Sequence, residues 1–126
     1  MEFINNQRLN SLKASKDKQK IANSIKETVL NRTGYTLPQL FKKYTEDQVF
    51  FLALKHITTT KKAICKALNI NLDHACRYKR NLEKRGLLVQ SAEERICPYT
   101  GYPAHFLSTN PKEFEKLQHT DQLNLF

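Results

Sequence analysis

The sequence contains no tryptophan, a single methionine and only three glycines in 126 residues. Gly34, Gly86 and Gly101 stand far apart, so no glycine-rich loop is available to cradle a phosphate. Long apolar runs are absent as well. The longest, Val49 to Leu54, is far too short to cross a bilayer, and Met1 to Asn10 has no apolar stretch of the signal-peptide kind. A cytoplasmic chain with no membrane partner is the expectation. Cysteine is scarce and odd in number: Cys65, Cys76 and Cys97 suit reduced thiols acting as small packing residues, not a disulfide framework. Acidic residues are few, twelve against twenty-one Lys and Arg, which leaves a net charge of +9. Such a field favours polyanions, either nucleic acid or an acidic membrane surface.

Signatures of catalysis and metal binding are missing too. The sequence shows no zincin histidine pair and no nucleophile with a local signature, and its acids are scattered singly or in solvent-type pairs such as Glu93-Glu94. His74, Cys76, Cys97 and His105 are metal-ligating types, but no Cys-x-x-Cys pair exists, and side chains two apart on a helix diverge. The expectation is therefore no enzyme, no metal and no cofactor.

The positive charge is uneven. Residues 1–44 carry nine basic and three acidic residues (+6), residues 45–89 nine and four (+5), and residues 90–126 three and five (−2). Three regions follow: a basic N-terminal arm and helical extension (1–44), a central domain (45–110), and a C-terminal helix and tail (111–126). Within the first, residues 1–19 read as a mobile arm or solvated helix. Ile21, Ile25 and Val29 then recur at helical spacing before Gly34 ends the segment. Leu37, Leu40, Phe41 and Tyr44 predict a short helix with one buried face and Pro38 in its first turn.

Thr45-Glu46-Asp47-Gln48 reads as a capping box opening a helix to about His56. After a β-branched loop, Ala63, Ile64, Ala67 and Leu68 line one face of a second helix. Asn69-Ile70-Asn71 makes a tight connection. A third helix, from Leu72 to about Lys84, is expected to bury Leu72, Ala75 and Leu82 before Gly86 stops it. Leu87-Leu88-Val89 and His105 to Ser108 are strand-like and suggest a β-hairpin with a long tip. Asn110-Pro111-Lys112-Glu113 caps a last helix. The expected class is mainly α with a small β-hairpin.

This order resembles the winged helix-turn-helix superfamily of bacterial regulators over roughly residues 45–110. The resemblance is carried by Ala63-Ile64-Cys65-Lys66-Ala67-Leu68-Asn69-Ile70, similar to a second helix and its turn. It is also carried by Leu82-Glu83-Lys84-Arg85-Gly86-Leu87-Leu88, similar to the junction of recognition helix and wing. Asn69 stands where the superfamily often has Gly, and the wing segment Ala92 to Ala104 is longer and richer in Pro and Tyr than usual. The resemblance implies a protein that reads double-stranded DNA with its third helix, and helical periodicity agrees. Burial of Leu72, Ala75 and Leu82 turns Asp73, Arg77, Arg80, Asn81 and Lys84 to the opposite face. Docking by the helix start would bring Asp73, His74 and Arg77 closest to base edges. In the wing, Arg95, Tyr99, Tyr102 and His105 are candidates for backbone or minor-groove contacts, with self-packing of the tip as the alternative for the same residues.

The last five residues, Gln122-Leu123-Asn124-Leu125-Phe126, resemble the bacterial sliding-clamp-binding motif, with Gln122, Leu123, Leu125 and Phe126 at its fixed positions. A tail folded back on its own domain is the alternative. The resemblances together imply a transcriptional regulator, or a clamp-linked accessory factor of replication or a mobile element. A protein-interaction module that uses the same scaffold without touching DNA is the reading from a different class. Half-site readers of this kind often pair, so a homodimer is an expectation, with residues 20–44 as its interface.

Overall fold

A computed structural model describes the backbone of residues 2–118 and the side chains of residues 17–118. The chain forms six helices and a three-stranded antiparallel sheet among these residues. Helix α1 (Glu2–Thr33) is continuous, so the backbone of residues 2–19 is helical and runs without a break into the helix expected from residue 20. It runs through a stretch without Gly or Pro and stops at Gly34, whose φ of +78° lets its N–H reach Leu30 O at 2.9 Å. Ile25 and Val29, one turn apart, bury α1 chiefly against α4 (Lys61–Leu68) and also against α3 (Glu46–His56). They share one apolar core with Leu40, Phe50, Leu54, Ile64 and Leu68, so the C-terminal part of α1 packs onto the central elements.

Helix α2 (Leu37–Lys43) is opened by a reciprocal cap. Gln39 N–H donates to Thr36 Oγ1 and Thr36 N–H to Gln39 Oε1, at 3.4 and 2.9 Å. Its expected buried face is half right, because Leu40 is fully buried and Phe41 is exposed. At the start of α3, Gln48 Oε1 accepts from Thr45 N–H at 3.1 Å while the Thr45 hydroxyl turns to the Asp47 carboxylate. Val49, Phe50, Ala53 and Leu54 form its buried face.

The β-branched stretch expected as a loop holds a strand. In β1 (Thr59–Thr60), Thr59 pairs with Leu107 and Thr60 with Phe106 of β3 (Pro103–Ser108), giving the order β1-β3-β2. Thr60 also caps α4, its Oγ1 accepting the Ala63 N–H at 3.3 Å. Asn69 (φ +58°) takes the left-handed turn between α4 and α5 (Leu72–Lys84), and Asn71 Oδ1 caps α5 by accepting the His74 N–H at 3.0 Å.

The hairpin corrects the expected long tip. Strand β2 runs through Val89–Ile96, so only residues 97–102 remain outside the strands, closed by bonds from Cys97 N–H to Tyr102 O and from Gly101 N–H to Cys97 O. The register shifts between Gln90 and Glu94. Ser91 serves that bulge, its Oγ accepting the Phe106 N–H at 3.0 Å and donating to Glu93 O at 2.6 Å, so backbone groups that leave the ladder keep partners. Helix α6 (Pro111–Gln118) is tied down by Thr109, whose hydroxyl donates to Phe51 O at 2.7 Å, and by buried Leu117.

Candidate nucleic-acid interface

Helix α5 rests on the core through Ala75 and Leu82, with Tyr78 partly buried beside Phe50 at a centroid distance of 6.1 Å. At 100° per residue, that contact sends Asp73, Arg77, Arg80, Asn81 and Lys84 outward, and all five are exposed. Leu72 is not buried. It is 38% exposed at the first turn, because it lies on the edge between the core face and the outer face.

Arg77, Arg80, Asn81 and Lys84 border one shallow depression together with Arg85, which sequence periodicity did not single out. Four cations within nine positions repel one another, yet no carboxylate pairs with any of them among the described residues. By contrast Lys79, on the flank of the same helix, is paired with Glu83 at 2.8 Å. The unpaired face therefore carries a positive potential that an approaching polyanion relieves.

The other flank is braced. Tyr78 OH donates to Glu46 Oε1 at 2.7 Å, and His74 Nδ1 lies 2.8 Å from the same oxygen. Burial disfavours the Glu46 carboxylate, but the bonds from Tyr78, His74 and the Asn71 backbone outweigh it and hold its pKa below the ordinary 4.5. Burial first, and the hydrogen bond to Glu46 second, push the Tyr78 phenol up to about 12. His74 is thus engaged in setting α5 against α3, while Asp73 and Arg77 on either side of it remain outward. A testable consequence concerns pH. With a folded pKa below 4.5, Glu46 contributes stability that is complete above that value and is lost as pH falls through the folded pKa. Glu46→Gln is expected to lower the neutral-pH melting temperature slightly and to flatten its decline between neutrality and about pH 3, as read by circular dichroism melts. An unchanged acid profile would show the brace to be energetically idle.

The hairpin residues divide. Arg95 and Tyr102 are exposed, Tyr102 by 74%, and Ile96 beside them by 62%. Tyr99 instead packs against the core, with Lys18 of α1 placed 5.7 Å from its ring centroid. His105 Nδ1 bonds Ser91 O at 2.8 Å and its Nε2 lies 3.7 Å from Glu94, so this ring steadies the bulge. The structure also brings together Lys61, Lys62 and Lys79 with Tyr102 and His105 around a cleft of about 470 Å³ between α4, α5 and the hairpin. The Lys61-Lys62 pair just after a Thr cap was the available signal.

Cys65 and Cys97 are buried, and burial pushes the Cys65 thiol up to about 12. Cys76 is only half-buried, its Sγ accepting from Lys61 Nζ at 2.9 Å, so it is not the core residue expected.

Comparison with protein-family models, curated proteins and solved structures finds no match. Among the described residues no helix is long and apolar enough to cross a membrane. Gln122, Leu123, Leu125 and Phe126 lie outside the described residues.

Proposed function

We propose that this chain is a non-enzymatic winged-helix protein that binds double-stranded DNA, with α5 as the reading helix and the β2–β3 hairpin as its wing. The observation that carries the reading is the outer face of α5, where Arg77, Arg80, Lys84 and Arg85 stand exposed without a carboxylate partner among the described residues. A helix of this width fits the major groove, where Arg pairs with the two acceptors of guanine and Asn reads adenine, and Lys engages phosphate. The order of elements supports it: α3, α4, the turn at Asn69, α5, then two antiparallel strands. Arg95 and Tyr102, both exposed, are the wing residues available to meet a backbone in this reading, and Lys61, Lys62 and Lys79 lie around the cleft beside the hairpin. Titration of random duplex at several salt concentrations is the test. Affinity that falls steeply and linearly in log salt is expected. Absence of salt-dependent binding would return the chain to a protein-interaction module built on the same scaffold.

The terminal motif adds a second partner to this reading. A peptide ending in Gln122-Leu123-Asn124-Leu125-Phe126 is expected to bind a bacterial sliding clamp saturably, and Leu125→Ala with Phe126→Ala to abolish it. Each apolar anchor contributes roughly 1.5–3 kcal/mol when fully buried, which is much of the total for a weak peptide complex. Fluorescence polarisation of a labelled peptide against the clamp measures this, and no saturation at high micromolar clamp would remove the link to replication.

A further inference from the structure

Between α3 and α5, on the side of α5 that carries Asn81, lies an open groove of about 780 Å³. Phe51, Leu52, Leu82 and Leu87 supply apolar walls, and Arg77 and Arg85 stand on its border. Phe51, Leu52 and Leu87 are only partly buried, so the groove presents apolar surface to solvent. Its size is that of a site for a short peptide or a comparable ligand.

The chain carries a fitting occupant. We propose that the α3–α5 groove receives the chain's own last residues, Gln122 to Phe126, docked within the same molecule. Reach is sufficient. Thr109, at the start of α6, is bonded to the carbonyl of Phe51, itself a groove residue, and the eight residues of α6 span about 12 Å. The docked segment starts at Gln122, so residues 119–121 are the link, and the four residue steps from Gln118 to Gln122 reach up to about 13 Å, enough to come back along α6. Chemistry is complementary: Leu123, Leu125 and Phe126 supply apolar side chains, and Arg77 and Arg85 outnumber Asp47 on the groove's border, which leaves a positive rim for Asp121, the one acid of the tail. Affinity is helped by the tether, because a link this short holds the peptide at an effective concentration on the order of millimolar, so even a weak site fills.

A tail in this position covers Arg77, Asn81 and Arg85, and so competes with a polyanion on α5. It also withdraws Leu125 and Phe126 from any other protein. The same residues thereby link the two binding activities proposed above, although docking itself requires neither of them.

The test uses the full chain and no DNA. Amide resonances of the wild type are compared with those of a variant carrying Leu123→Ser, Leu125→Ser and Phe126→Ser. Shifts concentrated at Phe51, Leu52, Leu82 and Leu87, unchanged on dilution of the sample, are expected. A second variant, Leu52→Glu, places a charge in the groove wall and is expected to move the tail amides to the positions of a free peptide of residues 118–126. Three results would each overturn the proposal: no shift in the groove residues, shifts confined to another surface, or shifts that fade on dilution and so mark a second copy as the occupant.

Discussion

Replacing Arg77, Arg80 and Lys84 together by Ala is expected to lower duplex affinity by roughly 10²–10³-fold while leaving the thermal melt in place. The fold is indifferent because all three side chains are exposed on the face of α5 opposite Ala75 and Leu82, and none is paired with a carboxylate among the described residues. Binding is not. Three cations that meet phosphates or base edges contribute about 1–3 kcal/mol where an Arg is bidentate to guanine, and somewhat less where Lys meets a phosphate. Loss of three charges also makes the slope of log affinity against log salt shallower by about 2.7, at 0.9 for each phosphate neutralised. Arg77, nearest the start of the helix, should alter sequence preference most when changed alone. Mobility-shift titrations over a range of salt, with melts of each protein, separate these effects. Wild-type affinity and slope in the triple variant would take α5 out of the interface.

Phe50→Ala is expected to destabilise the fold by about 3–5 kcal/mol, a large part of what a domain of this size possesses. The Phe50 ring is fully buried in the middle of α3 and sits beside Tyr78 of α5 in a tilted pair. Its loss removes apolar burial and leaves a cavity that the short helices around it close only in part. It also leaves the Glu46 brace to hold α5 against α3 at the surface end of the same contact. A fall in the urea midpoint on the order of 2 M follows from typical slopes for small domains. A loss under about 1 kcal/mol would place the ring outside the core.

Local chemistry made much of the chain legible. Thr45 with Gln48, Asn71, Asn110 and Gly86 all act at helix ends as their residue types suggest, because caps depend on a few neighbouring backbone groups. The stripe through Ala63, Ile64, Ala67 and Leu68 is buried as its spacing implies. Thr36 with Gln39 carries the same kind of local signal and forms the reciprocal cap of α2. Other features had no local signal. Thr59 and Thr60 form a strand only because β3 comes alongside from nearly fifty residues away, and two β-branched residues before a helix look the same with or without a partner.

The outer face of α5 belongs to the sequence: once Ala75 and Leu82 are buried, 3.6 residues per turn leave no other direction for Arg77, Arg80 and Lys84. What stands beside that face does not. Tyr99 and Tyr102 are three residues apart in one hairpin and equally suited by type to meet DNA, yet one packs beside Lys18 of α1 and the other is open to solvent. His74 and Arg77 share the first turns of α5, and Glu46, twenty-eight positions upstream of His74, engages the histidine and not the arginine. Burial, pairing and exposure of these side chains depend on contacts between elements distant along the chain. Periodicity reports the direction of a side chain relative to its own helix or strand, and only the packed fold supplies what lies in that direction.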